Sequence, residues 1–243
     1  MEHSASKPVT PQPKDRLAVA LDFSSARLAL DLVDRLDGSC LWFKVGMELY
    51  YAAGNSLVET LRGRGFNIFL DLKLHDIPNT VAGAVRSATQ SGASLLTLHA
   101  AGGPAMMSAA AEAATAPGSP RLLAVTVLTS MDAAELTAVG VSAAPAEQVL
   151  RLSRLAKQSG ISGLVCSAEE VGALRAELGR EALLVIPGIR PSGSEVGDQK
   201  RVATPRSAIE RGASMLVVGR PITRAANPAQ AAKSILEEIA EAN

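Results

Sequence analysis

The chain has 243 residues, and 47% of them are hydrophobic, which is enough for a substantial core. Lysine and arginine together number 24, as do aspartate and glutamate, and aromatic residues make up only 3%. The charge balance argues against a nucleic-acid surface or a basic membrane patch, and the shortage of aromatics argues against stacking on single-stranded nucleic acid. We therefore expect neither nucleic-acid nor membrane partners.

Residues 1–15 are polar and contain three prolines without an apolar run. This composition predicts a disordered or loosely ordered tail, and not a signal peptide or a transmembrane segment. No change of composition divides the remainder, so we expect one domain over 16–243. Cys40 and Cys166 lie beside apolar runs, which favours buried free thiols in a reducing cytoplasm over a disulfide.

Taken in chain order, apolar runs typical of strands alternate with stretches that repeat apolar residues every three or four positions. The runs predict strands at Leu17–Phe23, Leu41–Val45, Asn67–Leu74, Ser94–Ala100, Leu122–Thr129, Gly163–Ser167, Leu183–Ile189 and Met215–Gly219. The amphipathic stretches predict helices that include Ala26–Leu36, Ser56–Gly63, Ala146–Gln158 and Pro228–Ala240. Left-handed helix caps are expected at Gly65, Gly92, Gly160 and Gly212.

Eight strands that alternate with eight helices predict parallel βα units. Eight units in about 230 residues suit a closed barrel, so the predicted fold is α/β, a single-domain (β/α)8 TIM barrel. An open doubly wound sheet is the alternative, but it normally has fewer strands. Catalytic groups of such barrels lie at the C-terminal ends of the strands. Polar residues occur at these ends: Asp22, Lys44, Asp71, Lys73, His99, Thr129, Ser130, Ser167, Arg190, Gly219 and Arg220.

The third strand carries the most informative pattern, because an apolar run acquires charges at its end. Asp71 and Lys73 are two residues apart, so an extended strand would point both side chains to the same side. Asp76 follows as the strand ends, before Pro78. Desolvating such ions costs several kcal/mol, which only close pairing offsets. A structural ion pair is one explanation, and an Asp-Lys-Asp charge array in an active site is the stronger one.

The end of the eighth strand predicts a phosphate site. The loops after the last two strands commonly hold phosphate in this fold, and Gly219 and Arg220 offer a backbone N–H and a planar guanidinium. The polar loop 190–201 contains glycines and serines that suit a closing lid, and Gln199 can donate to a phosphate oxygen from it. An ordinary solvated connection is the alternative for this loop.

No sequence signature of a metal or nucleotide site is present. HExxH, CxxC, P-loop and GxGxxG patterns are all absent, which disfavours zinc, nucleoside triphosphates and dinucleotides. His75 and His99 are isolated in the sequence, so we interpret them as structural residues. No bound metal is expected.

Six stretches resemble the orotidine 5′-phosphate decarboxylase family, over the chain from about Arg16 to its end. They are Leu21–Asp22, Phe43–Gly46, Asp71–Thr80, Leu128–Ser130, Pro187–Pro191 and Val218–Ile222. The Asp-x-Lys-x-x-Asp pattern is shared with a wider group of barrel enzymes, whereas the extension His75–Thr80 is far more specific.

The resemblance implies cofactor-free decarboxylation of orotidine 5′-monophosphate to UMP, in pyrimidine biosynthesis, by a homodimer with shared active sites. The implied catalytic residues are Lys44, Asp71, Lys73 and, from the partner subunit, Asp76. The implied ribose ligands are Asp22, Lys44 and, from across the interface, Thr80. Thr129 and Ser130 would meet the pyrimidine, and Arg190, Gln199, Gly219 and Arg220 would hold the phosphate.

The chemistry of the residues agrees with this resemblance. Loss of CO2 from a ring carbon leaves a carbanion without a π system to spread into, so an enzyme must stabilise it electrostatically and protonate it. Lys73 is placed to do both. One alternative is a magnesium-dependent sugar-phosphate synthase or decarboxylase of the same wider group. The other is a non-catalytic sugar-phosphate-binding barrel.

Overall fold

The computed structural model describes residues 12–191 and 203–242. Within them, eight parallel strands form a closed barrel whose strand order follows the chain. The strands are β1 (Leu17–Ala20), β2 (Trp42–Gly46), β3 (Asn67–Leu74), β4 (Leu95–His99), β5 (Arg121–Val125), β6 (Gly163–Val165), β7 (Leu183–Ile186) and β8 (Met215–Val218). The helices are α1 (Ala26–Arg35), α2 (Met47–Gly63), α3 (Pro78–Ser91), α4 (Gly103–Ala113), α5 (Ala133–Ala138), α6 (Pro145–Gln158), α7 (Val171–Leu178), α8 (Pro205–Glu210), α9 (Arg220–Thr223) and α10 (Pro228–Glu241).

The predicted (β/α)8 barrel is confirmed, but several predicted strands were too long. β1 ends at Ala20 and β6 at Val165, so Asp22 and Ser167 lie in the loops that follow. The apolar runs continue past the paired backbone because residues just beyond the strands are still buried, as Leu21 is in the layer that contains Leu17 and Val19. An apolar run in the sequence therefore indicates which residues are buried, and it overestimates the length of the hydrogen-bonded strand.

The helices also differ in detail from the prediction. α2 begins at Met47, well before the predicted Ser56, and continues through a kink at Gly54, whose φ is 63°. The short helices α5 and α9 were not predicted, because neither is long enough to show an apolar repeat. The four predicted caps, Gly65, Gly92, Gly160 and Gly212, all have positive φ, as expected.

Two apolar layers hold the barrel together because successive strand residues point to opposite faces. In β1, Leu17 and Val19 pack outward in the layer beneath the helices. Ala18 and Ala20 point into the barrel, where they join Phe69 and other inward residues. Both faces of each strand are thus apolar, which is why the strands read as continuous hydrophobic runs.

This alternation decides which polar residues enter the barrel. Asp22 follows Ala18 and Ala20 at the same two-residue spacing, so it points into the barrel as they do. Asp71 stands in the same relation to Phe69. Polar groups at these positions line the C-terminal mouth of the barrel. Strand geometry therefore brings Asp22 and Asp71 to the mouth of the barrel.

The predicted tail, 1–15, lies mostly outside the described residues, and its last part joins a 3-10 helix, Pro13–Arg16. Arg16 donates hydrogen bonds to the backbone carbonyls of Ala213 and Ser214. Cys40 and Cys166 are free and buried, as predicted, and burial raises the pKa of the Cys40 thiol to about 12. Among the described residues, no helix has the length and apolar character that crossing a membrane requires.

Candidate active site

A cavity of about 660 Å³ opens at the C-terminal ends of the strands. Its lining includes Asp22, Lys44, Asp71 and Lys73. Apolar side chains, among them Val125 and Val165, line it as well. The cavity thus combines a charged region with an apolar region, which suits a ligand that has both kinds of surface.

Four of these side chains form a chain of alternating charge. The Lys44 ammonium lies 3.1 Å from Asp22 Oδ1 and 3.6 Å from Asp71 Oδ2. The Lys73 ammonium lies 2.8 Å from Asp71 Oδ1. Asp71 therefore stands between two cations, and each opposite pair is close enough to offset part of the cost of desolvation.

Burial makes this array electrostatically strong. The side chains of Lys44 and Asp71 are only 11% and 14% exposed. Burial by itself would raise the pKa of the Asp71 carboxyl. The ammonium groups of Lys44 and Lys73 outweigh that effect, so the pKa lies below its ordinary value. Asp71 is accordingly an anion at neutral pH, in contact with both lysines.

The backbone that carries Asp71 and Lys73 is not a simple extended strand, contrary to the expectation from their spacing. Leu70 pairs with Leu96 and Leu74 with Leu98, so four steps along β3 face two along β4. The two extra residues form a bulge, and Lys73 has a φ of 49°. Such a left-handed conformation costs a non-glycine residue roughly 1–2 kcal/mol. The bulge, and not strand alternation alone, turns Lys73 toward Asp71.

The loops after β7 and β8 supply the predicted phosphate end of the cavity. Gly219 precedes the first turn of α9, which begins at Arg220, and both residues line the cavity. Arg190 also lines the cavity and is almost completely buried. Its backbone N–H donates to the Ala203 carbonyl at 2.9 Å. Most of the predicted lid, including Gln199, lies outside the described residues.

Comparison with known proteins agrees with this geometry. The sequence profile described as "Orotidine 5'-phosphate decarboxylase / HUMPS family" matches residues 15–235. The chain belongs to this family.

Individual members of the decarboxylase family resemble the chain over nearly its whole length. The orotidine 5'-phosphate decarboxylase of Halorhodospira halophila is 53% identical over 93% of this chain and 97% of its own. The enzyme of that name from Mannheimia succiniciproducens is 50% identical, again over 93% of this chain and 97% of its own. The crystal structure of the Lactobacillus acidophilus enzyme has a TM-score of 0.83 at 41% identity, covering 93% of this chain and 99% of that one.

The family resemblance predicted further site residues, and the structure separates them into two groups. Thr129 lines the cavity, and Ser130, next to it, is exposed and is not among the lining residues. Asp76 and Thr80 are also exposed and outside the cavity lining. Asp76 Oδ1 instead accepts from the Ile77 N–H at 2.6 Å. The roles of these residues stay predictions.

Two parts of this decarboxylase-family site were not predicted. Thr97 contacts both Asp71 and Lys73, and Arg224 lines the cavity one turn after Arg220. Strand alternation would have found Thr97, because it lies two residues before His99 and these two are the polar residues of β4. The short helix α9 had no sequence signal, so Arg224 had none either.

The two histidines, interpreted as isolated from the sequence, are neighbours in the structure. The rings of His75 and His99 have centroids 5.5 Å apart. Burial lowers the pKa of His99, and repulsion from His75 and Lys73 lowers it further. Across residues 12–191 and 203–242, no three His, Cys, Asp or Glu side chains are grouped as metal ligands.

Proposed function

We propose that the chain decarboxylates orotidine 5′-monophosphate to UMP, the last step of pyrimidine synthesis, and that Lys73 is the proton donor. The observation that carries this proposal is the alternating charge array, Asp22–Lys44–Asp71–Lys73, inside the cavity. Family membership and relatives about 50% identical that bear the name of this activity support it.

The array can carry out the reaction with side chains alone. As the bond from C6 to the carboxylate breaks, CO2 leaves and the electron pair stays on C6. A Lys73 ammonium facing that carbon stabilises the developing negative charge and then transfers its proton to it. The Asp71 carboxylate contacts the Lys73 ammonium at 2.8 Å.

The remaining polar residues fix the substrate. Asp22 and Lys44 bind the ribose hydroxyls, and the apolar lining of the cavity accepts the pyrimidine face. Thr129 and Ser130 bind the amide edge of the pyrimidine. The phosphate is held by Arg190, Gln199, Gly219 and Arg220. Binding energy from the phosphate, which is remote from the reacting carbon, can then be used to order the charge array.

The active site is completed by a second subunit in this proposal. Asp76 and Thr80 lie outside the cavity of their own chain and are exposed. Ile77 between them is 67% exposed and offers an apolar side chain that a second subunit could cover. A homodimer would cover Ile77, give Lys73 a second carboxylate in Asp76 of the partner subunit, and bring Thr80 to the ribose.

A mixing experiment tests the shared site. Lys73→Ala and Asp76→Ala proteins should each be nearly inactive, and should recover activity when their subunits exchange. With random exchange about half of the dimers are mixed and one of their two sites is intact, so recovery should approach about a quarter of wild type. Differently tagged chains confirm exchange. Proven exchange without recovery would place Asp76 in the site of its own subunit.

A direct assay tests the activity itself. Orotidine 5′-monophosphate absorbs differently from UMP, so its consumption can be followed spectroscopically, with UMP identified as the product. Turnover by the wild-type chain, and its absence in Lys73→Ala, is the expected result. Binding of UMP without turnover by the wild-type chain would instead support the non-catalytic sugar-phosphate-binding alternative.

The magnesium-dependent alternative predicts a different response to chelators. We propose a reaction without a cofactor, in which the Lys73 ammonium supplies the positive charge. Activity should therefore be unchanged after dialysis against EDTA and after addition of Mg²⁺. Activity lost in EDTA and restored by Mg²⁺ would assign the chain to the sugar-phosphate branch of the family.

The proposed location is the cytoplasm, where UMP synthesis takes place and a reducing environment suits two free buried thiols. The balanced charge of the chain supports a protein with neither nucleic-acid nor membrane partners.

A further inference from the structure

Thr97 lies at the centre of the bulge that carries the charge array. It is a fully buried residue of β4, between Leu96 and Leu98. These two leucines are the positions that pair with Leu70 and Leu74 on either side of the bulge. Thr97 therefore faces the stretch of β3 in which the regular ladder is interrupted.

The Thr97 hydroxyl connects the two charged residues of the bulge. Its oxygen accepts a hydrogen bond from the Lys73 backbone N–H at 2.9 Å. Its proton is donated to Asp71 Oδ1 at 3.0 Å. The same Asp71 oxygen contacts the Lys73 ammonium at 2.8 Å. One hydroxyl thus fixes both the backbone of Lys73 and the carboxylate that its side chain meets.

The backbone pairing of β3 with β4 does not replace either hydrogen bond of the Thr97 hydroxyl. The bulge removes Lys73 from the β3–β4 register, so its N–H depends on a side chain for a partner. A buried N–H without a partner is unfavourable, and a left-handed lysine is strained, so the backbone would relax if the hydroxyl were removed. Relaxation at Lys73 would move the base of the side chain that carries the ammonium.

We propose that Thr97 is a positioning residue that sets the place of the Lys73 ammonium relative to Asp71 and to the reacting carbon. Its kinetic consequence rests on the proposed decarboxylation, whereas its structural consequence does not. Thr97 touches no substrate in this proposal, because the cavity lining does not include it.

Thr97→Val and Thr97→Ser test the proposal together. Valine has the same shape without the hydroxyl, and serine keeps the hydroxyl. We expect Thr97→Val to lower kcat by about tenfold to a hundredfold, the effect of a displacement near 1 Å, with KM changed by less than about threefold. Thr97→Ser should keep kcat within about threefold of wild type, since the hydrogen bonds are retained. Equal losses of kcat in Thr97→Val and Thr97→Ser would mean that the hydroxyl does not carry the effect.

Thr126→Val is the matched control. Thr126 is also a buried threonine near the end of an adjacent strand, β5, and its hydroxyl donates to the Val165 carbonyl at 3.2 Å. Thr126→Val removes a comparable buried hydrogen bond and leaves the side chains of the charge array unchanged. kcat should stay close to wild type, and equal losses of kcat in Thr126→Val and Thr97→Val would overturn the inference.

A crystal structure of Thr97→Val separates this inference from the proposed function. We expect the Lys73 φ to leave the left-handed region or the contact between Lys73 Nζ and Asp71 to lengthen beyond 3.5 Å. Unchanged geometry, or unchanged kcat in an active enzyme, would overturn the inference and leave the proposed function standing. A wild-type chain inactive on orotidine 5′-monophosphate would overturn the proposed function, while the variant structure would still decide the role of Thr97. Should Thr97→Val fail to fold, Thr97→Ala takes its place with the same expected and contrary results.

Discussion

Both ends of the barrel contain partly buried charged side chains, but the partners of these side chains are charged at one end and neutral at the other. At the C-terminal end, Lys44 and Lys73 are paired with the Asp71 carboxylate. At the N-terminal end, all the partners of Arg175 among the described residues are neutral oxygens: the carbonyls of Gly179, Arg180, Ala182 and Gly212, and the Ser214 hydroxyl. These partners join the end of α7 to the starts of β7 and β8.

The difference separates stability from chemistry. The neutral partners of Arg175 hold its guanidinium in place but cannot exchange a proton with it. Burial lowers the pKa of Arg175. Opposed charges in a cavity are ready to respond to a substrate that brings its own charge. The C-terminal end also contains the strained Lys73 backbone. We therefore expect changes at the C-terminal end to affect turnover, and changes at the N-terminal end to affect folding.

The largest effect is expected for Lys73→Ala. Turnover of orotidine 5′-monophosphate should fall to less than about a hundredth of wild type, because the variant has no proton donor at the reacting carbon. The thermal midpoint and the binding of UMP should be retained. The exposed lysine Lys233 on α10 provides the control, since Lys233→Ala removes one ammonium far from the cavity. A Lys73→Ala enzyme with a tenth of wild-type turnover would rule out Lys73 as the proton donor.

Next in size is Arg220→Ala, at the phosphate end of the cavity. Losing a charge-assisted contact to phosphate should raise KM and lower kcat/KM by a factor equivalent to about 2–4 kcal/mol. The decrease has two causes, because phosphate binding also helps to order the charge array.

A substrate without phosphate isolates the role of Arg220. On the truncated nucleoside, the wild-type and Arg220→Ala enzymes should react equally slowly, since neither can use the missing contact. A variant much slower than wild type on this nucleoside would mean that Arg220 acts on another part of the substrate.

The barrel could be predicted from the sequence because each of its strands is buried on both faces. Such a strand is a continuous apolar run in the sequence, as Leu17 to Ala20 are. The sequence also predicted that Asp22, Lys44 and Asp71 lie at the C-terminal ends of their strands, where inward-pointing side chains line the cavity. It was wrong about the extended conformation at Lys73, because that conformation depends on a bulge between two strands and no local pattern in either strand encodes the register of the pair. It did not identify Thr97, although the position of Thr97 two residues before His99 on β4 was a usable signal.

The N-terminal end should show the reverse behaviour in Arg175→Ala. Losing five hydrogen bonds from a partly buried cation should lower the free energy of unfolding by about 3 kcal/mol. kcat at 25 °C should be unchanged. Arg154 on the neighbouring helix α6 is the control, because it makes a bidentate pair with Glu177 at the surface, where ion pairs contribute little. Equal destabilisation by Arg154→Ala and Arg175→Ala would mean that the contacts of Arg175 to the backbone carbonyls have no special weight.

The smallest expected effect is a difference in acid sensitivity between the two ends. The pKa of Asp71 is lower in the folded chain than its ordinary value of about 3.9. Its ionised form therefore stabilises the fold above that ordinary value, and this stabilisation is lost as the pH falls through the folded pKa. Arg175 keeps its charge throughout this range, so it contributes no such slope. Urea unfolding at a series of pH values should give an unfolding free energy that falls more steeply below about pH 4 in wild type than in Asp71→Asn. Asp31→Asn, which removes an exposed carboxylate from α1, is the surface control. Parallel curves for wild type and Asp71→Asn would show that the array gains no stability from the ionised carboxylate, and that the contrast between the two ends concerns catalysis alone.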